Sequence, residues 1–369
     1  MTPAVTFIIP CYKLAHLLTE CVESILGQSY KNFEILIMDD CSPDDTPQVA
    51  KSFQDERVRY FRNDPNLGHL RNYNKGIELA RGQYIWLISA DDRLRCTYVL
   101  ERYVQIMEAH PRVGYVFCPA IGLENGEETG IASWTFNGSQ DAILRGHKFL
   151  SRLIHVNSVA APSGLVRREC YEKISVFPLD LPYAGDWYLW CAFALHREVA
   201  YLSEPMINYR IHQLSMTNHL TRPPRNADNL AVRWRIKCLA EAMGARGVVR
   251  ECLKSIAEYY AYCLQNHFAL ADEYSMTLGE FERSLHENTR APQEERRIQA
   301  RVYASVGDGH YRRGEFHEAL SSYALGLRFD KWMPMVWMKA ALLRMGSAEM
   351  LVRQSLGGPR ETAQKKTAR

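Results

Sequence analysis

At 369 residues the chain is long enough for two domains, or one large domain with an appendage, and it can bury a substantial core. Its 47% hydrophobic and 24% charged residues are those of an ordinary globular protein. With 45 Lys and Arg against 42 Asp and Glu the net charge is only +3, too balanced for a main partner that is a nucleic-acid backbone.

The ten cysteines are scattered, with no C-x-x-C pair and no zinc-type His spacing, as expected of buried thiols in a reducing compartment. No basic-then-apolar leader opens the chain and no stretch approaches about 18 uninterrupted apolar residues, so the expected location is cytoplasmic, with membrane contact only peripheral, at the inner face.

In chain order, Val5 to Ile9 is a β-rich run closed by Pro10, and Leu14 to Leu26 carries apolar residues at helical spacing before Gly27. Phe33 to Met38 is the next strand, ending in Asp39-Asp40 and the turn-rich Cys41-Ser42-Pro43-Asp44-Asp45. A helix over 46–53, a strand over 58–61, a loop at 63–66, a helix over 70–80 and a strand over 84–88 follow. Strands alternating with helices in this way predict an α/β fold, a mostly parallel sheet with helices on both faces.

In such a sheet ligands bind at the carboxyl ends of the strands, and three polar clusters fall there: Pro10-Cys11-Tyr12, Asp39-Asp40 and Asp91-Asp92. Neighbouring carboxylates at the end of a buried strand call for a divalent cation between them and an anionic ligand; hard oxygen donors suit Mg²⁺ or Mn²⁺. An isolated Asp-Asp pair also reads as a solvated turn.

There is no G-x-G-x-x-G after the first strand and no G-x-x-x-x-G-K-[ST], so a dinucleotide fingerprint and a P-loop are both excluded at that edge. A nucleotide held without a glycine cradle needs side chains for its base. Asp40, an acceptor-only group, can take an imide N–H such as N3 of uracil or thymine, and Arg71 can approach phosphate or uracil carbonyls, unless it is a solvated helix residue.

With these residues in place, the first 120 or so positions resemble family 2 glycosyltransferases of the GT-A fold. The matching segments are Phe7-Ile8-Ile9-Pro10-Cys11-Tyr12, Ser24-Ile25-Leu26-Gly27-Gln28-Ser29-Tyr30, the run from Phe33 to Asp44, Asn66-Leu67-Gly68 with Arg71-Asn72, and Ala90-Asp91-Asp92. The resemblance implies a nucleotide-sugar donor, a divalent metal and inversion at the anomeric carbon. It implies further that Pro10 and Tyr12 border the nucleoside, Asp40 binds the base, Arg71 assists, Asp91 contacts the ribose or sugar, and Asp92 coordinates the metal, Ala90 replacing the first Asp of a strict D-x-D.

Ser163 to Arg168 resembles the strand and basic pair before the family's catalytic helix, and Asp186 matches the second acid of its Glu/Asp-Asp motif, with Gly185 at the first. Inversion needs one carboxylate to take the acceptor's proton, and the resemblance gives that role to Asp186, which also suits a helix N-cap. Trp187 and Trp190 could form an acceptor platform, although their helical spacing also fits core packing. The run from Tyr209 to Thr217 resembles a late motif, R-x-H-x-x-S-x-T, which implies His212 at the metal or diphosphate and Arg210 offsetting charge on the departing diphosphate. A polar loop whose His caps a turn is the other reading of His212.

Pro223-Pro224 mark a hinge, giving domains 1–222 (GT-A), 223–345 (all-helical) and 346–369 (a basic, disordered tail). Tyr303, Val306-Gly307, Gly314, Ala319 and Tyr323 resemble one tetratricopeptide unit, a helical hairpin suited to contact with a second copy or a pathway partner. Trp332, Met333, Met335, Val336, Trp337 and Met338 read either as core or as an interfacial helix with basic flanks.

The expected activity is inverting, metal-dependent transfer from a UDP- or dTDP-sugar to a hydroxyl of a surface-glycan or lipid-linked acceptor. The alternative is an inactive nucleotide-binding scaffold that acts through its helical tail, and Gly185 keeps that alternative open. A nucleotidyltransferase is disfavoured by the missing phosphate loop.

Overall fold

The computed structural model describes residues 2–213, 215, 222–268 and 276–355; the side chains of 222–224, 267, 268 and 347–355 are outside that description. Leu214, Met216 and Thr217 of the late motif, and the tail beyond Ser355, lie outside the described residues. The chain divides into units Met1–Cys252 and Leu253–Arg369.

In the first unit the predicted alternation is present: β1 (Val5–Cys11), α1 (Ala15–Leu26), β2 (Phe33–Asp39), α2 (Thr46–Ser52), β3 (Val58–Arg62), α3 (His69–Leu79) and β4 (Tyr84–Leu87). Then come β5 (Arg93–Leu94), α4 (Val99–Ala109), β6 (Val113–Phe117), β7 (Ala120–Glu124), β8 (Glu127–Ile131), β9 (Ala142–Leu144), α5 (Gly146–Leu153), β10 (Leu165–Arg167), α6 (Arg168–Lys173), α7 (Gly185–His196), β11 (Glu198–Tyr201), β12 (Ile207–Arg210), α8 (Arg222–Ala242) and α9 (Arg246–Phe268).

Eight strands form one sheet in the order β3-β2-β1-β4-β10-β6-β11-β9. Strands β1 to β4 pair in parallel, while β10 runs antiparallel to both of its neighbours. A second sheet, β5-β12-β7-β8, lies outside the sequence expectation because its members are short or, like β8, exposed along their length. Both faces of the large sheet are covered, one by the layer around Ile8, Ile85, Tyr115 and Val166, the other by that around Phe7, Ile35, Trp86 and Leu165. This is why its strands read as nearly continuous apolar runs.

Strand β1 continues through Pro10 instead of stopping there. The Pro10 carbonyl accepts from Ala90 N at 3.2 Å, on the side where the β1–β4 register has already ended at Ile8–Leu87, so the missing N–H costs no ladder bond.

The compact first unit extends to Cys252, past the hinge expected near residue 222, because α8 and the start of α9 belong to its core: Val232, Ile236, Ala240, Val248 and Cys252 are buried with Trp187 and Cys191. The second unit contains α10 (Leu278–Asn288), α11 (Pro292–Arg312), α12 (Phe316–Phe329) and α13 (Pro334–Ser355). Helices α11 and α12 form the expected hairpin. Gly314 turns with φ +79°, and a Cβ on Gly307 would come within 2.6 Å of the Tyr323 ring, so these glycines serve turn and close packing.

The aromatic cluster before and on α13 is not simply core. Val336 and Ala340 are buried, but Trp332 is 82% exposed and Met335, Met338, Leu342 and Met345 face solvent. Helix α13 also runs on to Ser355, into the segment expected as a disordered tail. Among the described residues no helix is long and apolar enough to cross a membrane.

Candidate active site

At the end of β2 the two aspartates have separate tasks. Asp39, fully buried, accepts from Tyr60 Oη, Arg62 Nη1 and Ser42 N, and so anchors β3 and the following turn. Asp40 accepts from Asn63 Nδ2 at 2.9 Å and Leu67 N at 2.8 Å through Oδ1, and from Gly68 N at 2.9 Å through Oδ2. It therefore gathers the 66–68 loop over the sheet edge. Gly68, with φ +80°, opens α3 in a conformation that favours glycine, and Cys41 at that edge is a non-glycine with positive φ, +62°.

At the end of β4 a second knot forms. Asp92, 5% exposed, accepts from Arg210 N at 2.9 Å through Oδ1, while Arg210 Nε donates to the Asp91 carbonyl at 2.7 Å. The Arg210 guanidinium also pairs with Glu20 of α1, which pairs in turn with Arg93. Asp91 Oδ2 lies 2.9 Å from His212 Nε2, and Asp91 Oδ1 is buried without a hydrogen-bond partner. Burial works against Asp91's charge, but bonds from His212 and Ser89 outweigh it and hold its carboxyl below the ordinary range. Burial and then the charge of Asp91 push Asp92 well above that range.

Asp186 sits within the first turn of α7, after the N-cap position taken by Ala184, so it is not the cap that its place in the sequence allowed. Its Oδ1 accepts from Trp187 N at 2.7 Å and its Oδ2 from Asn157 Nδ2 at 3.1 Å. Burial raises its carboxyl, against those hydrogen bonds. Asp228 of α8 accepts from Tyr183 N and Ala184 N at 2.7 and 3.1 Å and fixes the entry to the helix. Gly185 has ordinary backbone; a Cβ there would meet Phe177 at 3.3 Å and Leu70 at 3.5 Å, an apolar setting for an acid.

Tyr73 of α3 relates the groups to one another. Its ring packs edge-on against His69 and Phe177, at 5.6 and 5.2 Å. Burial and then the charges of Asp91, Asp186, Asp92 and Asp40 drive its phenol far above the ordinary value, so it feels all four carboxylates at once. Asp40 and Asp91-Asp92 follow β2 and β4 on either side of β1, and Asp186 opens α7 beside α3, where a Cβ on Gly185 would lie 3.5 Å from Leu70, so all four carboxylates lie within electrostatic reach of Tyr73.

Tyr12 at the end of β1 is 46% exposed, Pro10 is buried beneath it, and Arg71 is exposed on the first turn of α3. Trp187 and Trp190 do not form the expected acceptor platform. They are 2% and 5% exposed, Trp187 Nε1 donates to Leu153 O, and Trp190 packs against Tyr115 at 5.0 Å, because α7 is buried nearly all round. Glu20, Tyr73, Asn157 and Asp228 were not found in the sequence. Each acts through a partner far away in the chain, and none stands in a motif.

Residues 6–174 match the sequence profile described as Glycosyl transferase family 2. The chain is 27% identical over 296 residues to an uncharacterized glycosyltransferase of Rickettsia prowazekii (strain Madrid E), covering 77% of this chain and 89% of that protein. It is 34% identical over 110 residues to the glycosyltransferase GlyG of Streptococcus pneumoniae, covering 29% of this chain and 36% of GlyG. The crystal structure of residues 1–349 of S. aureus TarS in complex with UDP-GlcNAc superposes with a TM-score of 0.60 at 18% identity, over 93% of this chain and 92% of that one, a likeness of fold. The first unit has the GT-A fold and carries, over residues 6–174, a domain of the family 2 glycosyltransferase type.

Proposed function

We propose that the protein is an inverting, metal-dependent glycosyltransferase that moves a sugar from a UDP- or dTDP-sugar to a hydroxyl of a surface-glycan acceptor, a polysaccharide or lipid-linked oligosaccharide. The observation that carries this reading is that Asp40 and the Asp91-Asp92 pair close β2 and β4 at one edge of the sheet, with Asp186 in the first turn of α7 acting on the same Tyr73. The complexes of TarS with UDP and with UDP-GlcNAc support a uridine diphosphosugar as donor. Asp40 Oδ2, which takes only one protein N–H, has acceptor capacity left for the imide of uracil or thymine. Tyr12 and Pro10 border the base, and Arg71 reaches the phosphates.

A cation fits the second knot. Two adjacent carboxylates meet there, one with a buried oxygen lacking a hydrogen-bond partner and the other pushed toward protonation by burial and then by its neighbour's charge. Asp92, with Asp91 and His212 beside it, would hold Mn²⁺ or Mg²⁺. Among the described residues no three such side chains form a finished cage, and ions of this kind commonly complete their shell with water and substrate phosphate. The ion when bound offsets charge on the leaving diphosphate.

The protein's own part in the chemistry is proton transfer and orientation. Asp186 takes the proton of the acceptor hydroxyl as that oxygen bonds to the anomeric carbon from the face opposite the departing diphosphate. Asn157 and the Trp187 N–H hold the carboxylate in one orientation and favour its ionised form. Arg210, fixed by Glu20 and the Asp91 carbonyl, contributes positive charge at the diphosphate end.

The exposed stripe Met335, Met338, Leu342 and Met345 with Trp332 supports a peripheral contact of the second unit with an anionic inner membrane face. Lys331 and Arg344 fall along it, and no acidic residue occurs from 331 to 348. Flotation with anionic vesicles that is unchanged by Trp332→Ser with Met335→Ser would remove this part.

The test of the donor site is thermal denaturation with UDP, dTDP, GDP and ADP, with and without Mn²⁺, on the wild type and Asp92→Ala. A ligand at about 100 times its Kd stabilises by roughly 2.7 kcal/mol. The expected result is a shift with UDP or dTDP that needs both the metal and Asp92. Asp186→Asn should keep that shift and lose turnover; turnover unchanged in this variant would favour the scaffold reading.

A further inference from the structure

The burial of Trp187 and Trp190 leaves the acceptor without an aromatic floor, and a different pair of rings is built to supply one. Trp134, in the segment between β8 and β9, is 42% exposed, and its ring meets that of Tyr209 on β12 edge-on at 5.5 Å and 79°. Around it the segment is tied down. Thr135 is buried, and its N and Oγ1 both donate to Ala132 O. Phe136 packs against Phe117, Phe149 and Tyr201 with the Arg152 guanidinium over its ring. A large ring held outward by fixed neighbours costs little entropy on binding.

Both ends of the pair connect to the site. Phe136 N donates to Ser158 O at 2.7 Å, and the next residue back, Asn157, donates to Asp186. Tyr209 directly precedes Arg210, whose N–H holds Asp92; strand alternation puts the Tyr209 ring on the opposite face from the Arg210 side chain, outside its pairing with Glu20. The Oγ of Ser158 is a buried polar atom without a hydrogen-bond partner, in the segment that joins Trp134 to the base. Such atoms in native proteins call for an explanation, and a ligand hydroxyl is one.

We infer that the Trp134 indole, braced edge-on by Tyr209, forms the stacking platform for a pyranose ring of the acceptor, with the Asn157–Ser158 segment leading its hydroxyl to Asp186. The inference deepens the transferase reading and rests on it. The C–H face of a pyranose, polarised by its oxygens, is drawn to the electron-rich face of an aromatic ring, while the ring hydroxyls need polar partners at the edge.

The experiment is saturation-transfer NMR on the full chain, irradiating aromatic protons and reading the C–H protons of the methyl pyranosides of glucose, galactose, mannose and N-acetylglucosamine. At least one of these should receive saturation from the wild type, fall to the protein-free level with Trp134→Ala, and recover with Trp134→Phe. Should Trp134→Ala melt early, Trp134→Gln gives the same reading. No transfer from the wild type to any of them, or transfer that survives removal of the ring, overturns the platform. UDP-dependent thermal stabilisation of the wild type is measured alongside; its absence counts against the donor reading and not against the sugar site.

Discussion

Asn157 Nδ2 donates to Asp186 Oδ2 at 3.1 Å, placing a neutral donor on a carboxylate whose pKa burial raises. That bond favours the ionised, proton-accepting form. Removing it with Asn157→Ala takes away a hydrogen bond to a charged group, worth about 1.5–3 kcal/mol, or roughly one to two pH units. The acid limb of the kcat profile should move up by that amount, with the UDP-induced thermal shift retained. An unmoved limb would show that Asp186 does not titrate in the rate.

The same raised carboxyl gives stability and activity opposite slopes. A carboxyl whose folded pKa exceeds the unfolded value of about 3.9 contributes stability at low pH and loses it as pH rises through the folded value. Turnover, which needs the ionised base, climbs over the same window. Asp186→Asn has no such titration, so it should gain stability relative to the wild type as pH rises from about 4 to about 7, by about 1.4 kcal/mol for each pH unit separating the folded pKa from the unfolded one. Melting curves that stay parallel across this range would contradict the raised value.

Asp40 gives a prediction about the donor loop. Its carboxylate, 4% exposed, holds Leu67 N and Gly68 N, and Asp40→Ala would leave Leu67 N without that acceptor and Gly68 N with Asn66 Oδ1 alone. Each buried unsatisfied group costs roughly 1–3 kcal/mol. The variant should melt several degrees lower and give no UDP-dependent shift, whereas Arg71→Ala, on an exposed position, should weaken UDP binding with little change in melting. Nucleotide binding by Asp40→Ala as tight as the wild type's would remove Asp40 from the base site.

These outcomes also mark what was legible beforehand. The strands and the Asp39-Asp40 and Asp91-Asp92 clusters could be read because each is a local run of chain, and the parallel-sheet rule brings their ends to one edge. The pairing of Glu20 with Arg210 spans 190 positions, and that of Asn157 with Asp186 spans 29 without a shared motif, so no pattern signals either. Trp187 and Trp190 could not be placed by spacing, since α7 is apolar on nearly every side and a helix with no polar face gives no direction. The apolar run of α13 left core and interfacial helix both open for the opposite reason: an apolar sequence looks the same whether or not something covers it.

Gly164 offers a test of how tightly the base is framed. A Cβ there would lie 2.3 Å from Trp190 Cη2, and the indole, set against Tyr115, has little room to yield. The buried Trp190 N–H falls short of full hydrogen-bond geometry but lies close enough to Asp186 to act as a weak donor that favours the ionised form. Gly164→Ala should cost about 1–3 kcal/mol through overpacking, and by displacing the indole should also raise the acid limb of the rate profile. Gly114→Ala serves as the control: its Cβ would meet Arg197 Cβ at 2.7 Å, a comparable crowding that involves none of the groups around Asp186. Melting should drop in both variants and the acid limb should shift only in the first; a limb that moves equally in both would mean that the change follows from loosened packing in general and not from Trp190.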